Sequence, residues 1–350
     1  MRRWAGKKSQ PLRMIDLFHF VRAAHPWVFQ LWAFGLGACV GSFLNVCVLR
    51  IPAGKSIVTP GSHCACGTPI RFYNNIPILT WFILGGKAPC CGRKFSFRYP
   101  LVEAVTACAF LWLWNTQPAT VAVPGMVFFS LLFLGSLIDL DHMILPDVST
   151  VGGMLAGVLL SIIWPQVQMH GFKTSGLWLE DGLQGGLMSV IGVLVGTGVI
   201  FWLRELAEML MKKEAMGYGD ILLMGCIGAF CGWQGALFAV FGGAVLGCFV
   251  ILPWMAVAWI FKKPGSEAAA VEAASAPAPV VENKAADEAK AAGTGEPVEA
   301  APTAPAFGIE IPFGPWLALA GFLYYAGLWQ WVNAYFEQIR AIIFAAPIFY

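Results

Sequence analysis

The sequence predicts an all-α polytopic membrane protein with about eight transmembrane helices and a cytoplasmic, cysteine-containing loop domain. Three observations predict it. Of 350 residues, 58% are hydrophobic and 12% charged, against about 45–50% and about 25% in an ordinary soluble domain. The apolar residues gather into long runs separated by basic, turn-rich loops. Lysine and arginine are divided unequally between alternate loops. The same figures exclude a soluble enzyme and a disordered chain, and a formal net charge of +2 excludes a nucleic-acid binder. The 39 glycines follow no G-X-Y period, which excludes collagen.

A spanning helix needs about 20 mostly apolar residues. A basic tail, 1–27, precedes the first run, Val28–Leu49, which holds no charged residue. That run is long enough to stay in the bilayer, and no small-residue cleavage site follows a short apolar stretch, so no cleavable signal peptide is expected. The loop 50–100 comes next. Leu101–Asn115 is short and carries Glu103 near its start, and Thr120–Ile138, Val148–Trp164 and Leu183–Leu203 follow it. Ile221–Trp233 is short and reads as a half-helix or a tightly packed one. Ala236–Phe261 and Ile311–Phe336 complete the set. Residues 101–263 form the membrane core, 264–308 a linker, and 309–350 the last helix and tail. The pairs Gly37/Gly41, Gly192/Gly196 and Gly243/Gly247 permit close backbone approach between helices, a packing signal without chemistry.

Positive charge sets the orientation. The loops 50–100, 204–220 and 262–310 together hold fourteen Lys and Arg, while the opposite face and the C-terminus hold Lys173 and Arg340. The loops 50–100, 139–147, 204–220 and 262–310 are therefore expected in the cytoplasm. The basic N-terminal tail, with six such residues, falls on the other face by the same parity and disagrees. The stretch from Gly265 to Ala306 is rich in Ala, Pro and Glu and has no aromatic residue. It buries too little apolar area to offset its ordering entropy. It reads as a disordered tether, with a binding segment as the alternative.

Acidic residues beside a span are costly and often functional. The third span runs out through Asp139, Asp141 and Asp147. The sixth is preceded by Glu214-Ala-Met-Gly217-Tyr218-Gly219 and opens on Asp220. Both sites fall on the cytoplasmic edge, where they can meet at one depth. Two carboxyls sharing one proton suit peptide hydrolysis, one as general base and one as acid. Gly217 and Gly219 would let the chain unwind just before Asp220. The alternative is that the acids are helix-end residues, with Asp220 complementing a helix N-terminus.

Gly217-Tyr218-Gly219-Asp220 resembles the GxGD motif of the type IV prepilin peptidases, also called leader peptidase/N-methyltransferases. The run Asp139 to Asp147, ending Leu-Pro-Asp, resembles that family's first aspartate motif. Gly41-Ser42-Phe43-Leu44-Asn45-Val46 through Arg50-Ile51-Pro52 resembles its N-terminal signature. Asn75-Ile76-Pro77 and Arg98-Tyr99-Pro100-Leu-Val-Glu103 are similar to two further blocks, and all five run in family order. The resemblance implies that Asp139 and Asp220 are the catalytic pair of an intramembrane aspartic protease, with 101–263 as its peptidase core. Gly217, Gly219, Asp141 and Asp147 would support the site. It implies prepilin or pseudopilin substrates entering from membrane lipid and leader cleavage on the cytoplasmic face of a bacterial inner membrane. It also implies N-methylation from S-adenosylmethionine. No methyl-donor residues are identified, because Gly35-Leu-Gly37 lies in a span and is no nucleotide loop. Oligomeric state is left open. Two rivals remain at this point. A proton- or cation-coupled transporter would favour acids near mid-span and an internal repeat. A non-catalytic pilus or secretion scaffold would not need Asp139 and Asp220 at matching depth.

Ten cysteines are too sparse for a disulfide scaffold. Cys39, Cys47, Cys108, Cys226, Cys231 and Cys248 lie in apolar runs and read as small buried hydrophobes. Cys64, Cys66, Cys90 and Cys91 share the loop 50–100. In a reducing cytoplasm four thiolates favour a structural zinc. The family typically shows two CxxC pairs here. This chain has one residue between the first pair and none between the second, and the family's other position, aligned on Cys91, is Ala88. Adjacent cysteines are not expected to face one ion without a strained turn. The chain also departs from the family at Leu84-Gly85-Gly86-Lys87, usually holding an Arg, and at Leu222, usually a Lys.

Overall fold

A computed structural model describes residues 24–64, 66–168, 175–212, 216–261 and 312–345. The linker 264–308 and most of the basic tail 1–27 lie outside the described residues. Contacts gather 1–247 with 312–350 in one unit and Cys248–Ile311 in a second, of which only the outer end of a helix is described. The helices are α1 (Pro26–Arg50), the short α2 (Leu79–Ile83), α3 (Arg98–Thr116), α4 (Ala119–His142), α5 (Val151–Ile163), α6 (Trp178–Met211), α7 (Tyr218–Phe261), α8 (Gly314–Leu323) and α9 (Trp329–Ala345). Among the described residues there are no strands, only the isolated bridges His63–Pro69 and Lys87–Lys94. Among the described residues, four helical stretches are long and apolar enough to cross a membrane: α1, α4, α6 and Tyr218–Pro253 of α7, which a break at Gly232 divides into two arms. The other apolar runs are also helical, but shorter or more polar.

Proline at the first turn starts α1, where a missing N–H costs nothing. The Gly37/Gly41 pair then lies flat on α3. A Cβ at Gly37 would stand 2.7 Å from Ala107 Cα, and one at Gly41 2.7 Å from Glu103 Cα. Only small residues permit backbones this close. α4 lies in the core: Phe128 stacks on Phe230 of α7 with ring centres 4.6 Å apart, and Tyr325 lies against it at 5.4 Å. Pro124 interrupts the hydrogen bonding of α4. Nearby the Tyr325 hydroxyl donates to Val121 O at 2.8 Å and ties the turn at Tyr324–Leu328 to α4.

α6 runs further than the apolar stretch 183–203. Glu180 and Asp181 complement its N-terminus, and Arg204 pairs with Glu208 at 2.7 Å one turn apart, which carries the helix on past its apolar part. The Gly192/Gly196 pair meets the α7 backbone at Gly228 and Met224. The expected final span Ile311–Phe336 is α8, a π turn at Tyr324–Leu328 and then α9. Gln117 Nε2 donates to Ala326 O at 3.0 Å, which satisfies a carbonyl that the π turn presents. Of the six cysteines expected inside, Cys47, Cys226 and Cys231 are buried, while Cys39, Cys108 and Cys248 are exposed. Helix faces turned to lipid need no burial to hold a small apolar residue.

The helical run of α7 breaks at Gly232, with φ 68° and ψ −175°. A Cβ at Gly196 would touch both Met224 O and, at 3.4 Å, the Ala236 side chain. A straight helix would separate residues 224 and 236 by about 18 Å. The chain therefore folds back at Gly232, and the two runs read from the sequence as Ile221–Trp233 and Ala236–Phe261 are its two arms. The break leaves Ala229 O outside the helical pattern, and Ser189 Oγ, at 2.7 Å, and Gln168 Nε2 donate to it. This backbone conformation is almost exclusive to glycine, and Gly232→Ala is expected to cost about 1–3 kcal/mol. A lower thermal midpoint in detergent would register it. A midpoint equal to the parent would contradict the conformation.

Candidate active site

Asp139 lies in the last turn of α4 and Asp220 in the first turn of α7. The two residues are 7% and 8% exposed. Both acid-bearing turns lie against Leu145, since a Cβ at Gly219 would stand 2.9 Å from Leu145 Cβ and a Cβ at Gly314 would stand 2.6 Å from Asp139 Oδ2 and 3.5 Å from Leu145 Cδ1. Helix α4 stops just past Asp139 because Met143 turns left-handed, φ 55°, and its N–H closes on Asp139 O at 2.9 Å. The chain then passes through Leu145 to Pro146, whose carbonyl accepts the Ser149 N–H at 3.0 Å and the Ser149 hydroxyl at 2.9 Å. That knot fixes Leu145 between the two acid-bearing elements.

The two glycines before Asp220 therefore differ in their work. The helix begins at Tyr218, which leaves Gly217 outside it, with its carbonyl accepting the Asp220 N–H at 3.2 Å. Gly219 is already helical and serves close packing against Leu145, where the sequence reading expected unwinding. Neither glycine takes a positive φ. The remaining acids separate from the pair. Asp141 is exposed and accepts an ion pair from Arg98 at 2.7 Å. Asp147 is exposed, and its carbonyl accepts the Gly152 N–H at 2.8 Å.

Two neighbours of the pair were not singled out as such in the sequence. Arg98 opens α3, pairs with Asp141 and also donates to Leu137 O at 3.4 Å, which ties the end of α4 to the end of the cysteine loop. Gly314 opens α8, and its N–H donates to the Asp139 carboxyl. The run Pro312-Phe313-Gly314-Pro315 marks a helix start, but nothing local in it points to Asp139. The family-like blocks also converge. Asn45 Nδ2 donates to Tyr99 O at 3.1 Å, and Glu103 Oε2 accepts the Ile78 N–H at 2.7 Å. The Ser42 hydroxyl binds the same carboxyl. Ile78 sits at φ 63°, strained for a β-branched residue, and Glu103 holds it there.

The cysteine loop lies at the same end of the helices as the acid pair, since Arg98 joins the two. The sulfurs of Cys64, Cys66, Cys90 and Cys91 all lie within 4.8 Å of one another. Cys64 and Cys91 are 3.6 Å apart, and Cys66 and Cys90 3.4 Å. Bonds of about 2.3 Å to zinc would put tetrahedral sulfurs about 3.8 Å apart. The four thiols fit such an ion. The adjacent pair manages it because a turn closes around it: Gly92 N–H reaches Ala88 O at 2.8 Å with Gly92 at φ 68°. The first pair sits in a tighter turn, Gly67 N–H to Cys64 O at 2.8 Å. Hydrogen bonds from Thr68 hold the Cys66 thiol down at about 6, and its bond with Cys66 pushes Cys90 up to about 12. Of this pair Cys66 therefore gives up its proton first.

A buried acid pair at the ends of helices long and apolar enough to cross a membrane, beside a four-thiol loop, defines the class: a helical protein with membrane-capable helices and a carboxyl pair at one end of them. Comparison with known proteins narrows the class. Residues 36–116 match the Bacterial Peptidase A24 N-terminal domain, and residues 126–252 match the Type IV leader peptidase family. The chain is 34% identical to a prepilin leader peptidase/N-methyltransferase of Myxococcus xanthus, over 84% of this chain and 89% of that protein. It is 36% identical to a type 4 prepilin-like proteins leader peptide-processing enzyme of Escherichia coli, over 63% and 81%. A prepilin leader peptidase/N-methyltransferase of Pseudomonas aeruginosa is 33% identical over 65% and 83%. No solved structure matches. The chain belongs to the type IV leader peptidase family.

Proposed function

We propose that the chain removes the leader peptide of type IV prepilins and pseudopilins, with Asp139 and Asp220 as its catalytic pair, and then methylates the new N-terminus. The observation that carries the reading is the burial of these two acids, alone among the four considered, at helix ends that both pack around Leu145. Two carboxyls that meet at one site share a proton. The ionised carboxylate takes a proton from water as the water oxygen attacks the scissile carbonyl carbon. The protonated carboxyl hydrogen-bonds the carbonyl oxygen and stabilises the charge that develops there. Collapse breaks the C–N bond, and a carboxyl proton passes to the leaving amine. Burial keeps bulk water from competing for these protons.

The methyl donor in this reading is S-adenosylmethionine, supported by the relatives' N-methyltransferase names. Cys64, Cys66, Cys90 and Cys91 would hold zinc, which supplies folding free energy to the loop and no chemistry to the peptide bond. In this reading the apolar runs and the fourteen-to-two charge division support eight spans and a cytoplasmic active site, and the relatives support a bacterial inner-membrane location. The domain limits 28–49, 50–100, 101–263, 264–308 and 309–350 belong to the same reading. Mass spectrometry of a co-expressed prepilin tests it. The expected product has lost its leader and carries one added methyl group at the new N-terminus. An intact leader beside well-inserted enzyme would overturn it.

A further inference from the structure

We propose that the last helix completes the acid pair, with the Gly314 backbone N–H as a positioning group for Asp139 and the absence of a side chain at 314 as a requirement for it. The inference rests on the reading of Asp139 as catalytic. Residue 314 lies beyond both family-matched stretches, and the sequence reading placed it outside the peptidase core.

A buried carboxyl needs donors. The N-terminus of α8 offers very few. Pro315 has no N–H, and the Trp316 and Leu317 N–H groups both turn back on Phe313 O, at 3.1 and 3.3 Å. The Gly314 N–H is directed to Asp139. The approach leaves no room: a Cβ at 314 would stand 2.6 Å from Asp139 Oδ2, well inside van der Waals contact, and 3.5 Å from Leu145 Cδ1. Helix α8 cannot retreat freely to relieve it. A Cβ at Gly243 would already stand 3.1 Å from Leu317 Cδ2, and Gly321 lies as close to Ile227. The Asp139 carboxyl must therefore move to admit a side chain at 314. The backbone donor and the bare Cα act together, one attracting the carboxyl and the other admitting it.

The test uses the full chain in detergent with a leader-bearing prepilin, reading kcat, KM and thermal midpoint for Gly314→Ala, Gly321→Ala and Asp139→Asn. Gly321→Ala crowds the same helix, since its Cβ would stand 2.9 Å from Ile227 Cγ2, but it does not face the acids. Gly314→Ala is expected to lower kcat about 100-fold with KM changed less than about twofold, since a misplacement near 1 Å can cost that much. Gly321→Ala is expected to lower the midpoint at least as far while kcat falls less than about threefold. If Asp139→Asn is inactive and Gly314→Ala keeps kcat within about threefold of the parent, the inference fails and the proposed function stands. An equal kcat loss in Gly321→Ala would also overturn it, by assigning the effect to the seating of α8. An active Asp139→Asn removes the proposed function and this inference with it.

Discussion

Asp139→Asn and Asp220→Asn are each expected to abolish leader cleavage while the protein still inserts and folds. Asn keeps the size of Asp, and both positions are buried in a seat that accommodates that size. It can neither take the proton of the attacking water nor supply one to the carbonyl. General acid–base groups contribute about 10²–10⁴-fold each, and here one shared proton serves both roles, so either loss should approach the full effect. Asp141→Asn should be mild. Its partner Arg98 is half-exposed and retains the Leu137 carbonyl, and a pair this open to solvent contributes about 0–1 kcal/mol. Asp147→Asn should also be mild, because its structural bond is made by its backbone. A prepilin processing assay in membranes checks the four together. Processing at the parent rate in either of the first two variants would end the aspartic mechanism.

Removing the metal is expected to separate the two activities. The purified protein should carry about one zinc per chain, bound with an apparent free energy of the order of 10–16 kcal/mol that doubles as folding energy for the loop. Family alignment singles out Cys91, and the adjacency of Cys90 argues against that thiol. The geometry makes them nearly equal, because each of the four sulfurs lies within 3.6 Å of a partner across the loop. Each Cys→Ser variant should therefore lose most of its zinc by elemental analysis. Methylation should fall far more than cleavage, since Asp139 and Asp220 stand on α4 and α7, outside the loop. Absence of zinc, with normal processing and methylation in all four variants, would leave the cluster without a structural duty. Equal loss of both activities would show that the loop supports the acid pair, for which Arg98 is the physical link.

The helices were legible because each is a local pattern. Val28–Leu49 and Thr120–Ile138 read as spans from apolar length alone, and the helices Pro26–Arg50 and Ala119–His142 enclose them. Their ends were less legible. Helix α6 continues to Met211 through an i,i+4 ion pair, and α8 and α9 are joined by a π turn, because capping and pairing extend or bend a helix beyond its apolar stretch. The small-residue pairs predicted close approach without naming partners. Only the packed chain shows Gly37/Gly41 on α3 and Gly192/Gly196 on α7. The acid motifs stood out in sequence, yet four carboxylates looked alike there. Burial separates Asp139 and Asp220 from Asp141 and Asp147, and burial is a property of neighbours.

By itself the sequence determined a helical chain with membrane-capable apolar runs, a charge asymmetry between alternate loops, two acidic motifs and a thiol-rich loop. These follow from composition, period and spacing, which act over one helix or one turn. The tertiary structure decided which acids are buried, how adjacent cysteines reach one centre, that α7 doubles back at Gly232, and that Gly314 reaches Asp139. Each of these depends on contacts between residues far apart in the chain or on a single backbone angle. A hydrogen bond from the first turn of α8 to the last turn of α4 leaves no periodic trace in either segment, because a backbone N–H is the same in every residue that has one, and only the packing of the helices decides where it points.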